Sequence, residues 1–307
     1  MKQSHRTVGW WGGSARHRKM VMTAVLFAMA ATYWHVQVWG PSWTGLRLAS
    51  ASASTLPAYQ ASVQGLVIAG ITDNLSGLAY SEHTGTLFGV VNSPPAVAEL
   101  STSGQLLRLM PISGAQDTEG IAHIQGHWFS IADERHNRIH WVEIRPGQQT
   151  VSVAKGKSMD LGDPVIKNLA LEGLGWDRQH QQLLAVLEKW PLRVLRIGGA
   201  DMAADGKLAD LRVKEWHSED VSGVPSTDLA SIEVDPRSGN WLLLSEESST
   251  IYEYTPAGVL LDLMPLWQGM YGLRATVPQP EGMAMDEAGT LYLVSEPNLF
   301  YRFDKKS

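Results

Sequence analysis

The chain contains no cysteine, which excludes a disulfide framework, thiolate metal sites and a cysteine nucleophile. It has no acidic residue before Asp73, although six basic residues (Lys2, Arg6, Arg16, Arg18, Lys19 and Arg47) precede that position. All 31 acidic residues therefore fall from Asp73 onward, with the other 19 of the 25 lysines and arginines, so the overall −6 divides into a head of +6 and a body of −12. An acidic body argues against a nucleic-acid partner. The sequence also lacks His-Glu-x-x-His, Gly-x-Ser-x-Gly and P-loop patterns, and nothing in it predicts an organic cofactor.

Glycine, proline and tryptophan are plentiful at 29, 15 and 12 residues, and 44% of the chain is hydrophobic against 18% charged. That mixture predicts a packed, turn-rich body of many short strands. A length of 307 residues is awkward for one ordinary domain unless the fold grows by repetition.

The head reads as a membrane-directed segment. Val21 to Trp39 carries no formal charge and is roughly long enough to cross ~30 Å of hydrocarbon. Arg16, Arg18 and Lys19 before it keep the N-terminus cytoplasmic by the positive-inside rule, and Trp34, Trp39 and Trp43 suit an interfacial belt. The expected organisation is a basic cytoplasmic N-terminus over 1–20, a transmembrane signal anchor over 21–39, a linker over 40–61 and a β-propeller over 62–307. This predicts a single-pass membrane chain whose body is exported. His35 and Gln37 weaken the span. Ala49-Ser50-Ala51 leaves a cleavable signal as the alternative, and a buried soluble helix as a third.

Five segments of the body align. They are Leu75-Ser-Gly-Leu-Ala-Tyr80 with Leu87-Phe-Gly-Val-Val-Asn92, Thr118-Glu-Gly-Ile-Ala-His123 with Trp128-Phe-Ser-Ile-Ala-Asp-Glu134, and Leu171-Glu-Gly-Leu-Gly-Trp-Asp177 with Leu183-Leu-Ala-Val-Leu-Glu188. Ala230-Ser-Ile-Glu-Val-Asp235 with Trp241-Leu-Leu-Leu-Ser-Glu246 and Pro280-Glu-Gly-Met-Ala-Met-Asp286 with Leu291-Tyr-Leu-Val-Ser-Glu296 complete the set. Each has an apolar run, a turn such as Glu82-His-Thr-Gly85 or Asp286-Glu-Ala-Gly289, and a second run; a third and fourth usually follow. Four strands per unit at this spacing predict an all-β fold, a β-propeller of five blades. A sixth would have to hide at 198–221, whose polar composition fits a surface loop better. The fifth unit lacks an outer strand, and Ser62–Ala69 before the first unit is free to supply it and close the ring.

The repeat also aligns polar positions: Ser76, Glu119, Glu172, Ser231 and Glu281 near the unit starts, and Asn92, Glu134, Glu188, Glu246 and Glu296 at the ends of the second runs. Inner strands of a propeller border its axis, so these side chains converge on one funnel. Crowded carboxylates are costly unless a cation, a donor or a proton offsets them, and about six to eight oxygens is what Ca²⁺ takes. Asn92, Glu119, Glu134, Glu172, Glu188, Glu246, Glu281 and Glu296 are the candidate ligands. The bland alternative is that Glu before Gly bonds backbone amides between blades while strand-end Glu faces water; a catalytic role is a third. His123, His127, His136 and His140 cluster in sequence, but their spacing fits alternate strand faces and lacks a partner set for a transition metal.

Leu75-Ser-Gly-Leu-Ala-Tyr80, Leu87 to Pro95, Gly114 to Ala122 with Ile131 to Arg135, and Leu171-Glu-Gly-Leu174 together resemble the SdiA-regulated (YjiK-like, CarP-like) proteins over about 60–307. The resemblance implies a bacterial, exported or membrane-anchored propeller, here single-pass at the inner membrane with its body on the periplasmic side, a link to calcium response and homeostasis, and a comparison with phytase-like propellers. Ser76, Asn92 and Ser231 depart from a fully carboxylate-lined ring. The expected function is a non-enzymatic Ca²⁺-binding or Ca²⁺-responsive protein or an interaction scaffold, held at the inner membrane through 21–39 and with a protein partner in the envelope. The alternative is a Ca²⁺-dependent phytase-like or lactonase-like hydrolase. A phosphate-handling enzyme wants a basic rim, for which only the scattered Arg135, Arg138, Lys167, Lys189, Arg193 and Arg196 are available.

Overall fold

The computed structural model describes residues 15–34, 54, 56–154, 156–162, 171–188, 192–200, 211–217 and 224–306. A helix, α1 (Ala15–Trp34), comes first, and a 3-10 turn at Leu56–Ala58 leads into strand β1 (Tyr59–Val67). The aligned sequence units then become antiparallel meanders. The first blade is β2 (Leu75–Ser81), β3 (Thr86–Val91), β4 (Ala96–Leu100) and β5 (Leu106–Ser113). The second is β6 (Thr118–Gln125), β7 (Trp128–Asp133) and β8 (Arg138–Glu143), with β10 (Lys157–Asp160) outside; the short β9 (Val151–Ser152) lies parallel to β5 of the first. The third is β11 (Leu171–Asp177), β12 (Gln182–Leu187), β13 (Arg193–Gly198) and β14 (Arg212–Trp216). The fourth is β15 (Ser231–Val234), β16 (Trp241–Ser245), β17 (Thr250–Tyr254) and β18 (Leu260–Pro265). The fifth takes β19 (Pro280–Met285), β20 (Leu291–Ser295) and β21 (Leu299–Lys305) from the C-terminal end and β1 from the other.

Five blades are therefore present, and the ring closes as the missing outer strand predicts. β1 runs antiparallel to β21, from Tyr59 opposite Lys305 to Val67 opposite Leu299. Inner strands touch in the cyclic order β2, β6, β11, β15, β19 and back to β2. Each pair of neighbouring blades encloses its own apolar core. Phe88, Ile121, Phe129 and Ile131 fill the first interface, and Leu75, Val91, Tyr292 and Phe300 fill the closing one. Leu56 and Tyr59, at the far end of the stretch expected to be linker, are fully buried in the core between the fourth and fifth blades. Residues 56–61 of that stretch thus belong to the turn and to β1, residues 40–53 and 55 lie outside the described ones, and the Ser54 hydroxyl donates to Glu253 at 2.7 Å.

The glycine of the repeated Glu-Gly pair is explained by how closely inner strands approach one another. A Cβ on Gly120 would stand 2.5 Å from the Glu172 carbonyl oxygen, and one on Gly173 would stand 2.7 Å from the Ala230 carbonyl oxygen. Backbone cannot yield as a flexible side chain can. Gly173→Ala is accordingly expected to cost about 3 kcal/mol of stability in a urea titration, at the upper end of overpacking penalties; a change below about 1 kcal/mol would contradict the close approach.

Two expectations are corrected. A membrane span over 21–39 is not supported: no helix among the described residues is long and apolar enough to cross a membrane. The helix begins earlier and so takes in Arg16, Arg18 and Lys19; alanines and Thr23 dilute the remainder, and it ends at Trp34, residues 35–39 lying outside the described ones. Its side chains from 19 to 32 are all exposed, so it is not a buried core helix either. The insertion at 198–221 is not wholly surface loop: β14 within it forms the outer strand of the third blade, while 201–210 and 218–221 lie outside the described residues.

Candidate functional site

Antiparallel pairing puts the start of each inner strand beside the end of the second strand of its blade, so both polar rings arrive at the same mouth of the axial channel. Ser76, Glu119, Glu172 and Glu281 are each the second residue of β2, β6, β11 and β19, and Asn92, Glu134, Glu188, Glu246 and Glu296 each follow the last residue of β3, β7, β12, β16 and β20. A cavity of about 190 Å³ opens there. Asn92, Glu119, Glu172, Glu188, Glu246, Glu281 and Glu296 line it, as expected from the sequence, and Asp228 lines it without having been expected. Glu134 is not in that lining. It stands beside it, where one carboxylate oxygen from each of Asp117, Glu119 and Glu134 lies within 4.8 Å of the others.

The fourth blade shifts the frame by one residue. Ile232 pairs with Leu243 just as Leu174 pairs with Ala185, so Ala230, not Ser231, occupies the glutamate position. Ala230 lines the cavity, while Ser231 is buried at the glycine position and its hydroxyl accepts from the Met283 amide at 3.4 Å. Counting two residues back from the corrected position gives Asp228, and the same offset from Glu119 gives Asp117. These are the two carboxylates that sequence alignment missed; the one-residue misalignment hid Asp228, and Asp117 lies just before the aligned segment of its blade. The carboxyl of Asp228 is fixed by the amides of Glu246 and Glu247, at 2.8 and 3.2 Å, and by the Ser245 hydroxyl.

Seven carboxylates thus face one small cavity: Glu119, Glu172, Glu188, Asp228, Glu246, Glu281 and Glu296. Among the described residues, no lysine or arginine lines it. Burial is the first reason that Glu281, Glu172 and Glu246 move upward, and mutual repulsion is the second. Glu281 is pushed to about 8 by burial and by Glu246, Glu296 and Glu119. Glu134 reaches about 7 through burial and the charges of Glu119, Asp117 and Glu188, against a small opposing pull from Arg135. Glu172 rises well above the usual range from burial and from Glu119, Glu134, Glu188 and Glu281. Glu119 is raised by burial despite hydrogen bonds from Ser76 and Asn92, the latter donating at 3.0 Å. Burial also raises Asp228, Glu246 and Glu296. The arrangement can hold a hard cation through oxygen ligands, or hold protons near neutrality.

The other candidates do not converge here. His136 and His140 bond Asp133, His123 bonds the Gly126 carbonyl, and no histidine belongs to the ligand-spaced group among the described residues. The basic residues that might clamp a phosphate are committed elsewhere: Arg138 to Asp160, Arg193 to Glu215 at 3.0 Å and Arg196 to Gln182 at 3.2 Å. Arg135 does not line the cavity, and Lys167 and Lys189 lie outside the described residues.

Fold and site together define a closed five-bladed β-propeller with one acidic axial mouth. The SdiA-regulated family matches residues 51–304, and the chain belongs to that family. Among solved structures, the glutaminyl cyclase of Myxococcus xanthus is similar, with a TM-score of 0.57 at 16% identity over 81% of this chain and 97% of that one. A luciferin-regenerating enzyme gives a TM-score of 0.48 at 14% identity over 79% of this chain and 95% of that one. At such identities the first likeness shows the shared fold alone, and the second adds nothing to it.

Proposed function

We propose that this SdiA-regulated propeller is a Ca²⁺-binding protein, non-enzymatic in its main role, that uses the acidic mouth as its cation site. The observation that supports this is the set of seven carboxylates around about 190 Å³, with no basic residue lining it among the described residues. A divalent cation relieves that repulsion, and the oxygen count falls in the range of about six to eight that Ca²⁺ prefers. Asp117 and Glu134 extend the donor set at its edge. A protein of this kind would report or buffer Ca²⁺, or present a Ca²⁺-dependent surface to a protein partner. We place its work outside the cytoplasm on the charge asymmetry between head and body; accessibility of the body to added protease in intact spheroplasts tests this, and full protection refutes it.

The cation reading is tested by calorimetry. Millimolar Ca²⁺ is expected to raise the melting temperature by about 5 °C or more, and the gain should vanish in Glu119→Gln/Glu281→Gln. An unchanged melt in the parent chain would refute a cation site at this mouth. The hydrolase reading has one point in its favour: a carboxyl held at about 7, as in Glu134, suits a general acid at neutral pH. It lacks a basic clamp at the cavity, so phosphate release from phytate with Ca²⁺ present is expected to stay at background.

A further inference from the structure

The opposite mouth of the channel holds a second cavity, of about 230 Å³, to which all five blades contribute. Equivalent inner-strand positions can be compared at that level by their partners in the second strands. Ala79 pairs with Phe88, Ala122 with Ser130, Gly175 with Leu184 and Ala284 with Tyr292, while in the fourth blade the residue at this level, paired with Leu242, is Glu233. Four blades close with a methyl group or a hydrogen here, so the fold does not require a carboxyl. Glu233 is nonetheless held in place: it accepts from the Val234 amide at 2.8 Å and also from the amide of Met285 in the next blade. Burial pushes its carboxyl up to about 8, and the amides and the Arg178 charge offset that only in part.

One polar atom in the wall of this cavity has no partner. His123, only 4% exposed, lines it. Its Nε2 lies 3.0 Å from the Gly126 carbonyl, which makes Nε2 the protonated nitrogen and leaves Nδ1 a bare acceptor. That Nδ1 is buried and has no hydrogen-bond partner. The lining therefore offers the Glu233 carboxyl beside Trp176, with the imidazole of His123 in the wall. The cation at the mouth, Arg178, is already engaged. Its Nη1 bonds Glu82 of the first blade and Glu287 of the fifth, the latter at 3.0 Å. It thus ties the third blade across the opening and does not form an anion site. No metal-spaced group includes Glu233 or His123 among the described residues.

We propose that this second cavity binds a small primary ammonium compound with an apolar or aromatic body. The ammonium donates to Glu233, the body lies against Trp176, and the Arg178 ion pairs cover the opening. An ammonium brings a cation into direct contact with the carboxyl, whereas a neutral analogue does not. This inference stands apart from the Ca²⁺ site, which lies at the other mouth.

The test uses the full chain in saturating Ca²⁺, so that the acidic mouth does not compete. Benzylammonium is the probe and benzyl alcohol its neutral match, followed by saturation-transfer NMR and calorimetry. The ammonium is expected to bind saturably and at least about tenfold more tightly than the alcohol, the worth of a charge-assisted hydrogen bond. Glu233→Gln should erase that preference while keeping the parent melting temperature, and Glu119→Gln/Glu281→Gln should leave it intact. Should Glu233→Gln fail to fold, the ammonium-to-alcohol ratio in the parent chain still decides. Equal binding of the two probes, no saturation at millimolar concentration, or binding lost only in Glu119→Gln/Glu281→Gln would each overturn the proposal.

Discussion

In the presence of a chelator, the propeller is expected to lose stability as pH rises from about 4.5 to about 8, the reverse of ordinary acid denaturation. The carboxyl of Glu281 moves from 4.5 in the unfolded chain to about 8 in the folded one, and that of Glu134 to about 7. Between those limits the folded state binds more protons than the unfolded state, so its free-energy advantage falls as protons become scarce. The stability is fully present below about 4.5 and gone above about 8. Each tenfold gain in proton affinity on folding is worth ~1.4 kcal/mol, so Glu281 alone sets a ceiling of about 5 kcal/mol. Glu119, Glu172 and Glu246 act in the same direction, but groups that share protons contribute less together than singly. On the acid side Asp133 behaves oppositely. Burial pushes it up, yet hydrogen bonds from His140 and His136 hold it below the usual range, and its contribution disappears as pH falls. A maximum in weakly acidic buffer follows. Ca²⁺ should invert the profile, because it binds ionised carboxylates and gains affinity as protons leave. Urea midpoints across this range, with chelator and with Ca²⁺, check both arms. A chelated protein whose midpoint is flat or rises toward pH 8 would mean that the seven carboxylates do not repel as their placement requires.

The blade count and the polar rings were legible because a propeller repeats one local problem five times. Every inner strand must approach its neighbour's backbone closely, so Gly77, Gly120, Gly173 and Gly282 recur in register, and glutamate or serine recurs before them. Closure was legible from an absence, the fifth unit's missing outer strand. The unread parts have physical causes. In the fourth blade Ser231 replaces glycine and no bulge interrupts the pairing at that point, so alignment by residue type slides by one position and hides Asp228. Glu233 was invisible because its significance lies in Ala79, Ala122, Gly175 and Ala284 being small, which requires the corrected frame. The head misled because an uncharged run of the right length is not the same as an apolar helix. Alanine and threonine satisfy the charge criterion without supplying the hydropathy, and the basic residues that orient such a segment fall inside α1 itself.

A chain beginning at residue 68 is expected not to form the folded ring, whereas one beginning at residue 54 melts like the full chain. The contrast isolates β1. In the folded chain β1 pairs with β21 from Tyr59 to Val67, and Tyr59, fully buried, donates from its hydroxyl to the Gly289 carbonyl at 2.7 Å. Losing Leu56 and Tyr59 alone removes two buried side chains worth about 2–5 kcal/mol each, before the pairing with β21 is counted. That total rivals the whole stability of about 5–15 kcal/mol typical of a domain. The exposed edge of β21 would then carry Phe300 and Phe303, now fully buried, into contact with other chains, and aggregation should accompany the loss. α1 makes no such contribution: its side chains from 19 to 32 are exposed, so cutting before residue 54 leaves every core side chain named above in place. Calorimetry with light scattering distinguishes the outcomes, and a cooperative melt within a few degrees of the parent for the chain beginning at 68 would show that closure by β1 is dispensable. A synthetic peptide covering 54–68 supplies the complementary arm. Strand addition to an open sheet edge is a general mode of peptide binding, so the peptide should restore a cooperative melt to the shortened chain, and a scrambled peptide should not.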